Sequence, residues 1–301
     1  MVFVTQSIDP SALSRLRAAG LRVTVRHGEA PIGRGALLRG ASRVLIPMPT
    51  DRIDGEVLDA GPVALVASHA VGTDHIDLDA CRARGVAVTN TPGVLTDATA
   101  DLAMALLLAC TRGVLQGDAL VRAGRFRGWH PLMLRGLELR GARLGIVGLG
   151  RIGRATAERA RAFGMEVVHS SRSGGLPLDE LLATSDVVSL HCPLTEATHH
   201  LLDAPALATM KPGAWLVNTA RGPVVDEAAL AEALQGHLAG AGLDVYEHEP
   251  RVHEGLVALP NVVLLPHLGS ATHRARRLMA ATVVDNVLAW HGGRPLPTPI
   301  L

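Results

Sequence analysis

The sequence is poor in aromatic residues, cysteine and net charge, and each shortage excludes a class of protein. Phe, Trp and Tyr make up only 2% of the 301 residues, so the core must be packed mainly from Ala, Val, Leu and Ile. The three cysteines, Cys81, Cys110 and Cys192, lack CxxC spacing and are odd in number. This argues against a disulfide framework or a zinc site and indicates a reducing compartment. A formal net charge of +1 gives no electrostatic reason to expect nucleic acid or an anionic membrane as partner.

Long hydrophobic runs and a basic leader segment are also missing. The longest apolar stretch, around residues 102–110, is about half the length of a membrane span. Residues 1–6 have no basic n-region and are typical of a first strand rather than of a signal peptide. With 48% hydrophobic and 19% charged residues, the chain can bury a full core, and its length favours two domains. We therefore expect a soluble, cytoplasmic protein.

Short β-branched runs alternate with helical stretches along the chain, which predicts parallel sheets covered by helices on both faces. The first series contains a helix that Ser11 is expected to cap and Gly20 to stop, and it is followed by a long helix over residues 97–111. A second series begins at Arg143, and a final helix over residues 272–290 is expected to return to the first domain. The predicted strands cover residues 1–6, 21–26, 43–47, 63–67 and 86–90, then 144–147, 166–170, 186–191, 214–219, 240–245 and 261–266.

A glycine-rich turn opens the second series. The apolar run from Arg143 leads into Gly148-Leu149-Gly150-Arg151-Ile152-Gly153, and an amphipathic helix over residues 151–163 follows. A GxGxxG motif alone is weak evidence. Between a strand and a helix, however, its glycines permit a tight turn, close approach of the backbone to a pyrophosphate, and close helix–strand packing. The N–H groups at the helix start can then bind the phosphates, so this arrangement predicts a dinucleotide site.

The next predicted strand indicates which dinucleotide binds. An NAD site usually has Asp or Glu at the end of this strand, about 20 residues after the glycines, to bind the ribose 2′-hydroxyl. Here Ser171, Arg172 and Ser173 stand at that end, whereas Glu166 lies at the start of the strand. No carboxylate repels a 2′-phosphate, and Arg172 with the serines can hydrogen-bond it. We predict NADP(H); the alternative is NAD(H) beside a solvated arginine.

Three segments at predicted strand ends carry candidate active-site residues, among them an arginine, carboxylates and a histidine. They are residues 218–222 with Arg221, residues 244–250 with Asp244 and Glu249, and residues 266–270 with His267. Ligands collect at the carboxyl ends of parallel strands. A guanidinium can bind a carboxylate or carbonyl, and an imidazolium stabilised by a neighbouring carboxylate can protonate a carbonyl oxygen. These groups suit the reduction of a 2-oxo acid.

These segments resemble the D-isomer-specific 2-hydroxyacid dehydrogenase family, and the resemblance covers almost the whole chain. The stretches that carry it are residues 71–77, 90–96, 148–153, 218–222, 242–249 and 266–272. The resemblance implies two doubly wound α/β domains, with a Rossmann cofactor domain (residues 97–269) inserted into a flavodoxin-like substrate domain (residues 1–96 and 270–301). It also implies a homodimer built largely by the cofactor domains.

The resemblance implies roles for single residues as well. Arg221 would bind the substrate, His267 would be the catalytic acid/base, and Glu249 would pair with His267. Asp244 would hold the nicotinamide carboxamide. In addition, Thr99 and Pro193 would line the nicotinamide pocket, Thr219, Ala220, His267 and Gly269 would contact the cofactor, and the backbone N–H groups of Val71 and Gly72 would bind the substrate carboxylate.

Finer features are similar to the glyoxylate/hydroxypyruvate reductase branch. Residues 128–132, the Ser-Ser-Arg-Ser strand end and residues 269–274 fit it, and in that branch the tryptophan matching Trp129 reaches toward the partner subunit's site. An equally good interpretation is that Trp129 is a loop aromatic buried at the dimer contact. Phosphite is disfavoured as substrate, because a phosphite dehydrogenase has lysine where this chain has Val71 and the only lysine here is Lys211. Sugar acids of the 2-ketogluconate type stay open.

Two other functions also stay open. Oxidation of a D-2-hydroxy acid with NAD would need an acidic residue where this chain has Ser171. A non-enzymatic, dinucleotide-sensing corepressor would bind a partner with little turnover, and the set of Arg221, Glu249 and His267 argues against it.

Several polar residues have simpler interpretations. His199 and His200 have no Cys or acidic partner in metal-ligand spacing, so we interpret them as surface residues and expect no metal site. Glu247 is interpreted as a solvated loop residue, and Cys192 has no neighbour that marks it as a reactive thiolate. His191 is expected to close its strand structurally.

Overall fold

Two parallel sheets organise the chain. In the computed structural model, which describes residues 1–28 and 30–301, the chain divides into unit 1 (Met1–Leu95 and Ala271–Leu301) and unit 2 (Thr96–Ser270). Each unit has one sheet with helices on both faces, so the predicted α/β architecture of two parallel-sheet domains is confirmed.

The strands are β1 (Val2–Val4), β2 (Val23–Val25), β3 (Val44–Ile46), β4 (Leu65–Ala67), β5 (Ala87–Thr89), β6 (Arg143–Val147), β7 (Glu166–Ser171), β8 (Gly174–Gly175), β9 (Val187–Leu190), β10 (Trp215–Asn218), β11 (Gly240–Leu243) and β12 (Val262–Leu264). The α-helices are α1 (Pro10–Ala18), α2 (Arg34–Gly40), α3 (Gly55–Asp59), α4 (Leu78–Ala83), α5 (Thr96–Thr111), α6 (Val114–Arg122), α7 (Arg151–Ala162), α8 (Leu178–Thr184), α9 (Ala204–Thr209), α10 (Glu227–Gln235), α11 (Glu254–Val257) and α12 (His273–His291).

The sheet of unit 1 joins its strands in parallel in the order β2-β1-β3-β4-β5. The strand order reverses between β1 and β3, because the chain first goes outward to β2 and then crosses back. Alternate side chains point to opposite faces of each strand. Val2 and Val4 therefore pack with α1 and α12, whereas Phe3 packs on the other face with α2 and α3.

Local chemistry explains where α1 begins. Its cap is Asp9, whose carboxylate accepts the backbone N–H of Ser11 at 2.9 Å, and Pro10 occupies the first helical position. The prediction that Ser11 caps this helix was wrong by two residues. Proline has a helical φ and lacks the N–H that a first-turn residue leaves unpaired, so the helix starts at Pro10. Gly20, with φ of +77°, lies just beyond the C-terminal cap, as expected.

The sheet of unit 2 has the order β12-β11-β10-β9-β6-β7-β8 over residues 96–270, all of which the structure describes. Its strands are parallel except β8, a two-residue strand absent from the sequence prediction, which pairs antiparallel with β7. Leu144 and Ile146 pack against α5 and α7 on one face, and Leu216 and Leu243 pack against α8, α9 and α10 on the other. Each such aliphatic side chain contributes about 1.5–3 kcal/mol when fully buried.

The C-terminal segment lies along β5, the edge strand of the unit 1 sheet. Ile300 donates its backbone N–H to the carbonyl of Val88 at 2.7 Å, and Thr89 and Pro299 form an antiparallel bridge. The hydroxyl of Thr298 donates to the carbonyl of Asn90 at 2.6 Å. The sheet is thus extended at β5 by residues that follow α12.

Among the described residues, no single helix is both long and apolar enough to cross a membrane. The pair α5 and α6, bent by 61° at its break, passes the same length and composition criteria only when the two helices are taken together.

Candidate active site

The glycine turn after β6 has the geometry that a dinucleotide-binding turn requires. Gly148 has φ of +93°, and a Cβ there would lie 2.6 Å from the backbone nitrogen of Cys192. A Cβ at Gly153 would lie 2.2 Å from the carbonyl oxygen of Gly148, so this glycine permits α7 to pack closely against the turn. No other described atom lies within 4 Å of a Cβ built on Gly150, and no described side chain caps α7. The second glycine and the helix start therefore leave room and N–H donors for a phosphate.

The end of β7 forms a short hairpin rather than a free strand end. The Ser171 hydroxyl donates to the carbonyl of Gly174 at 2.9 Å and lies 3.0 Å from the Ser173 hydroxyl. Arg172 is exposed at the tip. Glu166, at the opposite end of β7, accepts a hydrogen bond from Arg143 at 2.9 Å. The carboxyl end of β7 therefore presents hydroxyls and a guanidinium instead of a carboxylate.

A histidine and a glutamate form a hydrogen-bonded pair beyond β11 and β12. The Nδ1 atom of His267 lies 2.9 Å from Oε2 of Glu249, and the second oxygen of Glu249 accepts the backbone N–H of Tyr246 at 3.1 Å. Burial raises the pKa of Glu249, but its hydrogen bond and charge contact with His267, the Tyr246 N–H and the charge of Arg221 together lower that pKa below its usual value. Glu249 is therefore a carboxylate, and its contact with Nδ1 orients the ring of His267 while leaving Nε2 without a bond to this carboxylate.

Asp244 fixes the backbone around this histidine. Its two carboxylate oxygens accept the N–H groups of Leu268 at 2.6 Å and Gly269 at 2.8 Å, while His267 itself has φ of +56°. The carbonyl of Gly269 accepts a hydrogen bond from the Thr99 hydroxyl at 3.0 Å. Asp244 is only 1% exposed, and burial raises its pKa. These contacts hold the left-handed turn that carries His267.

Arg221 follows β10 and belongs to a loop that Asn218 holds. The side chain of Asn218 accepts the N–H of Ala220 at 3.0 Å and donates to the carbonyl of Arg221 at 2.9 Å. A Cβ at Gly222 would lie 1.8 Å from the backbone carbon of Tyr246, so the loop with Arg221 directly contacts the loop with Glu249. Neither Asn218 nor Gly222 was assigned a role from the sequence, although both lie in the 218–222 segment.

Glu227, which the sequence did not single out, holds the loop that carries Glu249. Glu227, at the start of α10, is buried, and its carboxylate accepts the N–H of Glu247 at 2.8 Å and the N–H of His253 at 3.2 Å. The two bonds lie on either side of Glu249. No motif marks Glu227, because it lies 20 residues before Glu247 in the sequence.

Two sequence interpretations need correction. Glu247 is not a solvated loop residue, since its Oε1 atom lies 2.8 Å from Nε2 of His200 and its side chain is only 18% exposed. His200 therefore has an acidic partner, which sequence spacing could not indicate because 47 residues separate the two. Ligand atoms of His199, His200 and Glu247 lie within 4.8 Å of one another, so the three form a cluster of metal-binding residue types.

Other residues that the sequence analysis singled out follow β9 and β10. Thr219 is buried, and its hydroxyl has no hydrogen-bond partner among the described residues, which suits a bound ligand. Pro193 follows β9, and its carbonyl accepts the Thr198 hydroxyl at 2.7 Å. Burial raises the pKa of the Cys192 thiol to about 11, so it is not a reactive thiolate. The ring of His191 lies 2.9 Å from the hydroxyl of Ser189 within its own strand region.

Trp129 lies in the loop after α6 and is 82% exposed in the single chain. Other large apolar side chains are exposed on α6 and in the loop with Trp129, namely Val114, Leu115, Val121, Phe126, Leu132 and Leu134.

In unit 1, the carbonyl of Val71 accepts a hydrogen bond from the Asn90 side chain at 2.8 Å, and Gly72 follows Val71 in the same loop.

The sequence and the fold match known proteins over their full length. The profile described as "D-isomer specific 2-hydroxyacid dehydrogenase, NAD binding domain" matches residues 104–269, more than half of the chain. A glyoxylate reductase of Thermococcus litoralis is 46% identical, over 98% of this chain and 95% of that protein. The crystal structure of the TT0316 protein from Thermus thermophilus is 50% identical with a TM-score of 0.95, covering 100% and 99% of the two chains. The NADPH-dependent glyoxylate/hydroxypyruvate reductase of Sinorhizobium meliloti, solved with NADP and malonate, is 37% identical with a TM-score of 0.86, covering 99% and 96%. The chain therefore belongs to the D-isomer-specific 2-hydroxyacid dehydrogenase family and is an NAD(P)-dependent oxidoreductase.

Proposed function

We propose that this enzyme reduces a small 2-oxo acid to the corresponding D-2-hydroxy acid and prefers NADPH to NADH. Glyoxylate and hydroxypyruvate are the substrates we expect, in line with the names of the relatives. Oxo acids of the 2-ketogluconate type belong to the same chemical class and are included in the proposal. The observation that carries the proposal is the hydrogen-bonded pair of His267 and Glu249, with the charge of Arg221 acting on the same carboxylate.

The proposed roles follow from the chemistry of these side chains. A bound nicotinamide cofactor supplies the hydride for the reduction. Arg221 binds the carboxylate of the oxo acid through its planar guanidinium, which also orients the neighbouring carbonyl. His267 gives the proton on Nε2 to the carbonyl oxygen, while Glu249 stabilises the protonated ring through Nδ1. In the reverse direction the same nitrogen takes the proton from the hydroxyl group.

For the cofactor, we propose that residues 148–153 bind the pyrophosphate and that Ser171, Arg172 and Ser173 bind the 2′-phosphate of NADP(H). The preference is expected because a guanidinium and hydroxyls replace the carboxylate that would repel the phosphate. Proposed contacts of the nicotinamide half are Thr99, Pro193, Thr219, Ala220, Asp244, His267 and Gly269. The hydroxyl of Thr219 supports this set because it is buried and has no partner among the residues that the structure describes.

We further propose that the backbone N–H groups of Val71 and Gly72 bind the substrate carboxylate, which makes unit 1 the substrate domain and unit 2 the cofactor domain. The exposed apolar side chains of α6 and of the Trp129 loop support a homodimer formed by unit 2. In that dimer Trp129 would be buried by the partner and would help to bind substrate. The three free, buried cysteines suit the reducing cytoplasm in which we place the enzyme.

A kinetic panel of small 2-oxo acids tests the function. Oxidation of NADPH by glyoxylate or hydroxypyruvate is expected, and the absence of turnover with every oxo acid in the panel would reject the proposal. His267→Ala should lower kcat by about 100-fold or more, the scale of lost acid–base catalysis. Arg221→Ala should mainly raise KM. Near-wild-type kcat/KM in either variant would contradict the role given to that residue.

The cofactor preference is tested by comparing kcat/KM for NADPH and NADH. Arg172→Ala should raise KM for NADPH by about 10-fold or more, because it loses a charge-assisted hydrogen bond to the 2′-phosphate. KM for NADH should stay within about 2-fold, since that cofactor has no such phosphate. A wild-type enzyme that prefers NADH would contradict the proposed preference and leave the rest of the reaction intact.

A further inference from the structure

Two histidines and a glutamate come together in unit 2. His199 and His200 lie in the segment between β9 and α9, and Glu247 lies in the loop after β11, two residues before Glu249. Ligand atoms of the two rings and of the carboxylate lie within 4.8 Å of one another. Among the residues that the structure describes, this is the one group of three potential ligands that could hold an ion. Two imidazoles with one carboxylate form the ligand set of many zinc sites.

Hydrogen bonds from other parts of unit 2 hold the backbone of these residues. The N–H of His200 donates to the carbonyl of Pro223 at 2.8 Å. The N–H of Glu247 donates to the buried carboxylate of Glu227 at 2.8 Å. His200 also has φ of +48°, a left-handed conformation that few residues other than glycine adopt. The backbone is therefore ordered before an ion binds, which lowers the entropy lost on binding.

The hydrogen bond between His200 and Glu247 lies where the ion would bind. Nε2 of His200 is 2.8 Å from Oε1 of Glu247. Zinc binds both nitrogen and carboxylate oxygen at about 2.0–2.2 Å, so in a tetrahedral site these two atoms are about 3.4 Å apart. The contact must open by about 0.6 Å, and a neutral ring then carries its proton on Nδ1. His199 is exposed, so its ring can turn out of the stack that it forms with His200, at a centroid distance of 4.2 Å, and supply the third ligand.

We propose that His199, His200 and Glu247 bind a zinc ion, with water as the fourth ligand. Two nitrogen ligands disfavour Mg²⁺ and Ca²⁺, which prefer oxygen. The role of the ion is structural, because it joins the segment after β9 to the loop that carries Glu249. This site does not depend on the proposed reduction. The competing interpretation is a hydrogen-bonded pair beside an unconnected surface histidine, and such a pair binds no ion.

Calorimetric titration of the full-length, chelator-treated protein with Zn²⁺, in the presence of excess Mg²⁺, tests the site. One Zn²⁺ per chain should bind. His199→Ala and His200→Asn should each raise Kd by about 100-fold or more, because loss of a partner that only orients a ligand already costs about 10- to 100-fold. Asparagine tolerates the left-handed backbone at this position. His248→Ala is the matched control, since His248 is exposed, follows Glu247 directly and lies outside the cluster; its Kd should stay within about 2-fold of the wild type.

Thermal unfolding gives a second measurement. When free Zn²⁺ exceeds Kd about 100-fold, Tm of the wild type should rise by about 5 °C or more, and Tm of His199→Ala should not. Absence of Zn²⁺ binding would overturn the proposal, as would a wild-type Kd in His199→Ala or an equal loss in His248→Ala. If His200→Asn does not fold, His199→Ala decides, because its side chain is exposed. Loss of binding in His267→Gln with a wild-type Kd in His199→Ala would place the ion at the candidate active site and would also overturn the proposal. Since both measurements need neither cofactor nor substrate, failure of the proposed reaction leaves this test unaffected.

Discussion

Replacing Glu249 with glutamine removes the charge from the His267 pair while keeping the size of the side chain. The pair is short, 2.9 Å between Nδ1 and Oε2, but the two side chains are 35% and 25% exposed, so solvent screens part of the attraction. An exposed ion pair contributes about 0.2–1 kcal/mol. A hydrogen bond to a charged group contributes about 1.5–3 kcal/mol. We place the loss at about 1.5–2 kcal/mol in the transition state, and therefore expect kcat/KM for glyoxylate to fall about 10- to 30-fold.

The assay is the initial rate of NADPH oxidation by glyoxylate over a range of pH. The fall in kcat/KM should be seen at neutral pH, because glutamine offers no carboxylate to the ring of His267. Glu247→Gln is a matched control: it is the same substitution two residues earlier in the same loop, and its partner is His200. An unchanged kcat/KM in Glu249→Gln would refute this reasoning, and so would an equal loss in Glu247→Gln.

Three further predictions concern stability. The lowered pKa of Glu249 means that its carboxylate stabilises the fold at neutral pH and that this stabilisation is lost as the pH falls through the lowered pKa, so urea titrations of Glu249→Gln should show a weaker acid dependence than the wild type. Gly153→Ala places a Cβ 2.2 Å from a carbonyl oxygen of the glycine turn. This clash should lower the free energy of unfolding by about 1–3 kcal/mol and weaken NADPH binding. A variant with wild-type stability and wild-type affinity for NADPH would contradict the close packing. Glu227→Ala removes the carboxylate that binds the N–H groups of Glu247 and His253. Urea titration should show a free energy of unfolding lower by about 1.5–3 kcal/mol, and kcat/KM should fall as well. A variant as stable as the wild type would contradict the role of Glu227 in holding this loop.

The order of strands and helices was predictable because most strands carry a readable pattern. β3 is fully buried and lies within the apolar run predicted over residues 43–47. In contrast, β8 consists of Gly174 and Gly175, which have no side chains to form a pattern and adopt φ of +121° and +109°. The cap of α1 was misplaced because Ser11 and Asp9 are both good caps, and Pro10 decides between them.

Part of the candidate site could be predicted from the sequence for a similar reason. Arg221, Glu249 and His267 each follow a strand, so their positions at one sheet edge could be inferred from local sequence. Their supports could not be inferred in this way. Glu227 and His200 reach loop residues that are 20 and 47 positions away, and only the packing of helix α10 and of the loop after β9 brings these groups together.

The C-terminal segment along β5 has a consequence for solubility. An uncovered edge strand presents free N–H and C=O groups on which another chain can add a strand, the first step of aggregation. Ile300 satisfies the carbonyl of Val88, and Pro299 opposite Thr89 has no N–H to offer to a further strand. These few residues end the sheet on this side, so they protect the folded protein against edge-to-edge association.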